Sequence, residues 1–115
     1  MNAPQRVACP EVPDRPGASW TNAWRVGHEV AMSGMTSHPA TQQAAAQGQP
    51  LDAYEQTLVV LRKLEALVRA AGGHKHNIVK TVVYVTDIAD KDAVGRARHD
   101  FFEGAYPCSP LAAVS

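Results

Sequence analysis

The strand predicted at residues 78–86, IVKTVVYVT, constrains the fold more than any other segment. It is rich in β-branched residues, which favour extended backbone. Side chains alternate between the two faces of a strand, and here both sets are substantially apolar. The two sets are Val79, Thr81, Val83 and Val85 on one side and Ile78, Lys80, Val82, Tyr84 and Thr86 on the other. Both faces of this strand are therefore predicted to be covered.

Residues 51–71 predict a helix that covers one of these faces. Apolar residues recur there at spacings of three and four, the period of an amphipathic helix. They are Leu51, Tyr54, Leu58, Leu61, Leu64, Leu67, Val68 and Ala71. The following Gly72 and Gly73 can adopt the left-handed conformation that ends a helix.

The N-terminal half predicts three strands and a loop. A short strand fits near residues 6–9 in a proline-rich segment. Two more strands flank a hairpin turn at Gly27 and His28. Residues 37–50 are small, polar and interrupted by proline and glycine, which predicts a loop with one helical turn at 42–46.

The C-terminal part predicts a second helix and a last strand. Asp87 or Asp90 can cap the helix, and its inner face carries Val94, Ala97 and Phe101. The last strand begins at Leu111 and stops at Ser115, which leaves little backbone to pair. Such a chain is expected to continue through a turn into one more strand, so the sequence is either truncated or merely short.

The resulting order, β-β-β-α-β-α-β, predicts an α+β fold with two helices packed on one face of a mixed sheet. The other sheet face then needs a different cover. In a chain of 115 residues a second copy of the same chain is the simplest one, which predicts a homo-oligomer. The alternative is that Lys80, Tyr84 and Thr86 make this face polar enough to remain in water.

Length and charge limit the classes of function. The chain can bury one compact core, so residues 1–115 are predicted to be a single domain. Eleven basic residues balance eleven acidic ones, and neither nucleic acid nor a membrane surface is an expected partner. The apolar runs are far shorter than the ~20 residues that cross a bilayer, which predicts a cytoplasmic protein.

A few residues could line a binding site. Ser33 and Gly34 end a predicted strand, where the glycine would let a ligand approach the backbone; a plain turn is the alternative. Cys108 has no charged neighbour in sequence that would activate its thiol, so it is predicted to be a buried small hydrophobe. Trp20 could form the wall of a pocket, or equally a core or subunit contact.

No metal, cofactor or disulfide framework is predicted. The chain has only two cysteines, Cys9 and Cys108, and neither belongs to a CxxC pair, so no disulfide framework or metal motif is expected from them. His74 and His76 are close in sequence, but they lie in a predicted turn and a metal site needs three or four ligands.

Five segments carry a resemblance to a known family. They are residues 22–27, NAWRVG; 32–35, MSGM; 67–72, LVRAAG; 79–87, VKTVVYVTD; and 102–109, FEGAYPCS. They resemble the RidA/YjgF family, also called endoribonuclease L-PSP, over nearly the whole chain from about Ala18. The resemblance implies a chorismate-mutase-like α+β fold, a homotrimeric barrel and small-molecule clefts between subunits.

The resemblance also implies a chemistry and its residues. Active members hydrolyse reactive 2-imino or enamine acids to 2-oxo acids and ammonia, and an arginine two residues after the proline binds the substrate carboxylate. Ser109 occupies that position here, which implies a divergent member without this arginine. A neutral hydroxyl cannot offset the desolvation cost of a carboxylate as well as a guanidinium, which is charged and can donate two hydrogen bonds to it.

The ligand-binding positions carried over from the family are Trp20, Ser33, Gly34, Gly95, Cys108 and Ser109. Trp20 stands where a tyrosine is usual, and Gly95 stands where asparagine is frequent. The glutamate of the family's last strand has no counterpart because the sequence stops at Ser115. No residue of this chain is assigned as catalytic.

Three candidate functions are ranked from the residues and the resemblance. The first is hydrolysis of an imine, enamine or related C–N substrate with altered anchoring of the substrate, without metal or cofactor. The second, nearly level with it, is a trimer that binds a small metabolite without turnover. Ribonuclease activity is a distant third, because a formal net charge of zero does not favour binding to phosphates.

Overall fold

Two β-ladders and three α-helices make up the computed structural model, which describes residues 2–115. The strands are β1 (Gln5–Arg6), β2 (Ala23–Val26), β3 (Glu29–Met32), β4 (Val83–Val85) and β5 (Leu111–Ala113). The helices are α1 (Ala40–Ala46), α2 (Ala53–Ala70) and α3 (Lys91–Phe102), with 3₁₀ turns at Lys75–Asn77 and Ile88–Asp90. The predicted α+β class is confirmed, with one antiparallel and one parallel ladder.

Strands β1, β2 and β3 form the antiparallel ladder in that order. The predicted hairpin joins β2 to β3, with Val26 paired to Glu29 across a two-residue turn. Gly27 has a φ of +59°, the glycine conformation that a type II′ turn requires at its first central position.

Helix α2 is defined at both ends by local signals. The Asp52 carboxylate accepts a hydrogen bond from the Glu55 backbone at 2.8 Å, and Glu55 Oε1 accepts one from the Asp52 backbone at 3.4 Å. This is a capping box. At the other end Gly72, with a φ of +98°, allows the Gly73 N–H to reach the Val68 carbonyl at 2.9 Å. This is the Schellman pattern of a helix C-terminus.

The parallel ladder is interrupted by a proline, and this corrects the prediction of a continuous strand over residues 78–86. Residues 79–85 and 108–114 pair along their length, but only Val83–Val85 and Leu111–Ala113 count as strands, with an isolated bridge between Lys80 and Cys108. Thr81 donates to the Cys108 carbonyl at 2.8 Å and Val83 donates to the Pro110 carbonyl at 2.9 Å. The bond between them is missing because proline has no N–H.

The core lies on both sides of α2. One cluster joins α2 to α3 and contains Leu61, Val68, Ile78, Phe101 and Phe102. The other joins α2 to the antiparallel ladder and contains Val7, Cys9, Ala23 and Leu67. The predicted inner face of α3 is confirmed, since Val94, Ala97 and Phe101 are all buried.

The outer face of the strands is uncovered in the single chain. Val82 and Tyr84 retain 49% and 68% of their accessible surface, and Trp24 and Val26 of β2 are also exposed. On the opposite side, Thr81, Val83 and Val85 are partly buried. The predicted alternation is therefore observed from Thr81 to Val85. It is not observed at the start of the segment, where Ile78 is buried and Val79 is exposed. Within the described residues, every helix is too short or too polar to cross a bilayer.

Candidate functional site

Ser109 is directed toward α3 by its place in the parallel ladder. Lys80 and Cys108 face each other in the bridge, and both are exposed. Since neighbouring residues of an extended segment point to opposite sides, Ser109 and Thr81 share the inner side, and their hydroxyl oxygens lie 2.9 Å apart.

The inner hydroxyl of Ser109 contacts an arginine of the helix. Nη1 of Arg98 donates a hydrogen bond to Ser109 Oγ at 2.6 Å and lies 3.4 Å from the Ser109 carbonyl oxygen. A short bond from a charged donor is among the stronger hydrogen bonds in proteins. Ser109, the position at which the resemblance implies an arginine, is therefore in direct contact with a guanidinium from α3.

A groove opens between α3 and the segment that precedes β5. Its volume is about 420 Å³, which is within the size range of small-molecule sites. It is lined by Gly95, Arg98, His99, Phe102, Tyr106, Pro107 and Ser109. Two of the residues predicted from the sequence, Gly95 and Ser109, are brought together here.

Gly95 leaves the groove open above Arg98. Apart from its chain neighbours and the backbone of its own helix, a Cβ at Gly95 would meet no heavy atom of the described chain within 4 Å. Residues three apart on a helix are neighbours on one face, so Gly95 and Arg98 lie one turn apart. This spacing was the sequence signal that could have added Arg98 to the predicted site.

The charge of Arg98 has no anionic partner in residues 2–115. Its hydrogen-bond acceptors are the two neutral oxygens of Ser109, and the ion pairs of the described chain do not include it. The nearby Asp100 is engaged elsewhere. A hydrogen bond of 2.7 Å from the Tyr54 hydroxyl lowers the pKa of Asp100, and His99 lowers it further.

The rim of the groove is aromatic. The rings of His99 and Tyr106 stack with their centroids 6.0 Å apart, and Tyr106 is half exposed. His99 Nδ1 lies 3.5 Å from Asp100 Oδ1. The groove thus combines one cation, neutral hydroxyls and flat apolar surfaces.

The other predicted residues form a separate group at the antiparallel ladder. Ser33 Oγ donates to the Thr21 carbonyl at 2.6 Å, which ties the end of β3 to the loop that carries Trp20. Trp20 is half exposed, and a Cβ at Gly34 would meet nothing within 4 Å of the part of the chain described. In this chain none of Trp20, Ser33 and Gly34 lines the groove.

The prediction that Cys108 is a buried hydrophobe is wrong. Its thiol is free and exposed. The reason is strand alternation: Cys108 pairs with Lys80 on the outer side, whereas Ser109 points to the helices. Cys108 therefore does not line the groove on the inner side.

The structure is that of a small α+β protein with an open groove beside α3. The Endoribonuclease L-PSP family matches residues 12–115, and the chain belongs to this family, the RidA/YjgF family. It is 35% identical over 97 residues to RutC family protein y4sK of Sinorhizobium fredii, covering 82% of this chain and 74% of that protein.

Solved structures agree with this membership. A Pseudomonas aeruginosa protein of unknown function has 57% identity and a TM-score of 0.97, over all of this chain and 82% of that one. A Yersinia pestis protein of the conserved Rid family has 25% identity and a TM-score of 0.82, over 98% of this chain and 87% of that one. RidA from a Psychrobacter species, at 23% identity and a TM-score of 0.79, shares the fold over 96% of this chain and 85% of that one. The predicted RidA-like fold is confirmed.

Proposed function

We propose that this protein is a RidA-type hydrolase that converts a small imine or enamine to a carbonyl compound and ammonia. An enamine first tautomerises to the imine by moving a proton from nitrogen to carbon. Water then adds to the carbon of the C=N bond, the C–N bond breaks, and nitrogen leaves as ammonia. The observation that carries the proposal is the groove that joins Gly95 and Ser109 in a member of this family. Its polar groups can orient a small ligand, and the reaction needs no cofactor.

The proposal includes a homotrimer. The two groups of predicted site residues lie apart in one chain, and a neighbouring subunit could bring its Trp20, Ser33 and Gly34 to this groove. The exposed Val82 and Tyr84 provide an apolar face of the kind that subunits bury. Each subunit would be one domain, residues 1–115. The proposed location is the cytoplasm, since both cysteines are free, as is usual in a reducing compartment.

Light scattering tests the trimer. We expect a mass three times that of the 12.3 kDa chain, and we expect Tyr84→Glu to shift the protein to smaller species because it places a charge in the buried face. His28→Glu, which adds a charge at the hairpin turn, is the control. A wild-type monomer at micromolar concentration would contradict the trimer.

Ammonia release tests the hydrolase. The substrates are acidic and aliphatic 2-imino acids generated by an amino-acid oxidase, and 2-oxo acid formation is followed in parallel. Wild-type protein is expected to accelerate release above the buffer rate. Gly34→Val is expected to reduce this rate more than Gly34→Ala. Within one chain position 34 has room for a side chain, and the larger valine side chain would occupy more of the proposed cleft between subunits.

Ser109→Arg tests whether substrate binding requires an arginine at position 109. Activity in the wild type shows that an arginine at position 109 is dispensable. Activity in Ser109→Arg alone would refute the hydrolase for the natural chain and identify a scaffold used for another ligand.

A second candidate is a trimer that binds a metabolite without turnover. It is favoured by one observation: in residues 2–115 no carboxylate lines the groove to act on a water molecule. Saturable binding of a 2-oxo acid with no ammonia release from any imine would establish this function. Endoribonuclease activity has weaker support, because the formal net charge is zero and binding to a phosphate backbone depends on positive charge.

A further inference from the structure

We propose that Arg98 is the anion-binding residue of this groove and that it selects ligands with a small carboxylate. The inference rests on the proposed function of the groove and names the class of ligand that the groove takes. Arg98 belongs to α3, not to the segment after Pro107, so it is a different residue in a different element from the family's arginine.

The first argument is the position of the guanidinium. It is partly buried, lines the groove, and is held by a hydrogen bond of 2.6 Å to Ser109 Oγ. Ser109 is itself fixed by Thr81, at 2.9 Å between the hydroxyl oxygens. The chain Thr81–Ser109–Arg98 therefore orients the cation before a ligand arrives, which reduces the ordering cost of binding.

The second argument is the donors that remain free. Only Nη1 of Arg98 is engaged, and in residues 2–115 its acceptors are neutral oxygens. Nε and Nη2 form no hydrogen bond to the described protein atoms. A guanidinium with two free N–H groups on one edge matches the two oxygens of a carboxylate.

The third argument is the space beside it. Gly95 lies one helical turn before Arg98, and a Cβ there would meet nothing described within 4 Å. A small ligand can thus reach the guanidinium without moving α3. The stacked rings of His99 and Tyr106 bound the same space and suit a short apolar substituent.

Arg96 provides a matched control on the same helix. It is an exposed arginine that does not line the groove, and its charge lowers the pKa of Asp100. Arg96→Gln and Arg98→Gln therefore remove the same charge from the same helix, but only the second removes it from the groove.

The test measures binding by calorimetry or NMR, using 2-oxobutanoate and its uncharged amide, 2-oxobutanamide, as probes. Wild type is expected to prefer the carboxylate by roughly 10-fold or more, the effect of one charged hydrogen-bond pair. Arg98→Gln should lose this preference, whereas Arg96→Gln should retain it. Arg98→Lys should keep part of the carboxylate preference, because an ammonium preserves the charge but not the planar pair of N–H donors.

Two results would overturn the proposal. One is carboxylate preference in folded Arg98→Gln equal to that of wild type; the other is no carboxylate binding by wild type at millimolar concentration. Folding of each variant is checked by circular dichroism, and Arg98→Lys retains the test if Arg98→Gln does not fold. Ammonia release is measured on the same samples. Carboxylate binding that depends on Arg98, without ammonia release, supports this inference and refutes the hydrolase. Ammonia release that is equal in wild type and Arg98→Gln supports the hydrolase and refutes this inference.

Discussion

Replacing Gly95 with alanine is expected to stabilise the protein. Gly95 is inside α3, where glycine costs about 0.5–1 kcal/mol relative to alanine because it loses more backbone freedom on folding. The added methyl group meets no described atom within 4 Å apart from its chain neighbours and the backbone of its own helix, and the φ of Gly95 is not in the left-handed region. No steric cost within the single chain therefore offsets the gain, and Gly95→Ala should raise the free energy of unfolding by about 0.5–1 kcal/mol.

This gain is large enough to measure. The entropy of unfolding is about 2.1 cal/mol/K per residue, so for a chain of 115 residues a gain of about 1 kcal/mol raises Tm by roughly 4 °C. Urea unfolding of both proteins at one protein concentration is the assay, because assembly makes apparent stability depend on concentration.

Gly104→Ala is the matched control with the opposite expected sign. A Cβ at Gly104 also meets nothing described within 4 Å, but its φ is +99°. Alanine is strained in that conformation and should destabilise by more than about 1 kcal/mol. If both variants change stability in the same direction, backbone conformation does not decide the outcome and our reasoning is refuted.

Two further predictions concern α2. Asp52→Ala removes the acceptor of the Glu55 N–H and should cost about 1 kcal/mol in urea unfolding, whereas Asp52→Asn should cost much less; equal losses would contradict the cap. Tyr54→Phe removes the hydrogen bond that is the main cause of the lowered Asp100 pKa, so that pKa should rise in an NMR titration. Because the pKa is depressed in the folded state, the stabilisation that Tyr54 gives is present above the ordinary Asp pKa and is lost as pH falls through the folded one. An unchanged Asp100 pKa in Tyr54→Phe would show that the bond does not form in solution.

The features predicted correctly from the sequence are those with local causes. Helix α2 follows from its apolar period and the two glycines after it, and the hairpin follows from Gly27. Strand alternation correctly separates Tyr84 from Val83 and Val85. The length of β4 was not predicted, although its cause is visible in the sequence: Pro110 removes one donor from the strand that pairs with it.

The contacts within the groove could not be predicted from the sequence, because their cause is not local. Ser109 and Gly95 were placed by position in the family motif, and Cys108 was assigned to the interior without regard to its partner strand. The contact between Ser109 and Arg98 depends on how α3 packs beside the parallel ladder, which neither segment specifies alone. Residue propensity and hydrophobic period determine where helices and strands form. The packing of these helices and strands determines which side chains are in contact.

The loss of an arginine at one position does not by itself remove the charge from the site. A ligand interacts with a guanidinium in space, and the energy depends on the distance, the orientation and the surrounding dielectric, not on the strand or helix that supplies it. Here Ser109 carries no charge of its own, but its hydroxyl accepts a hydrogen bond from Nη1 of Arg98, while Nε and Nη2 form no hydrogen bond to the described protein atoms. If Arg98 binds as proposed, a search restricted to position 109 would miss the cation that lines this groove.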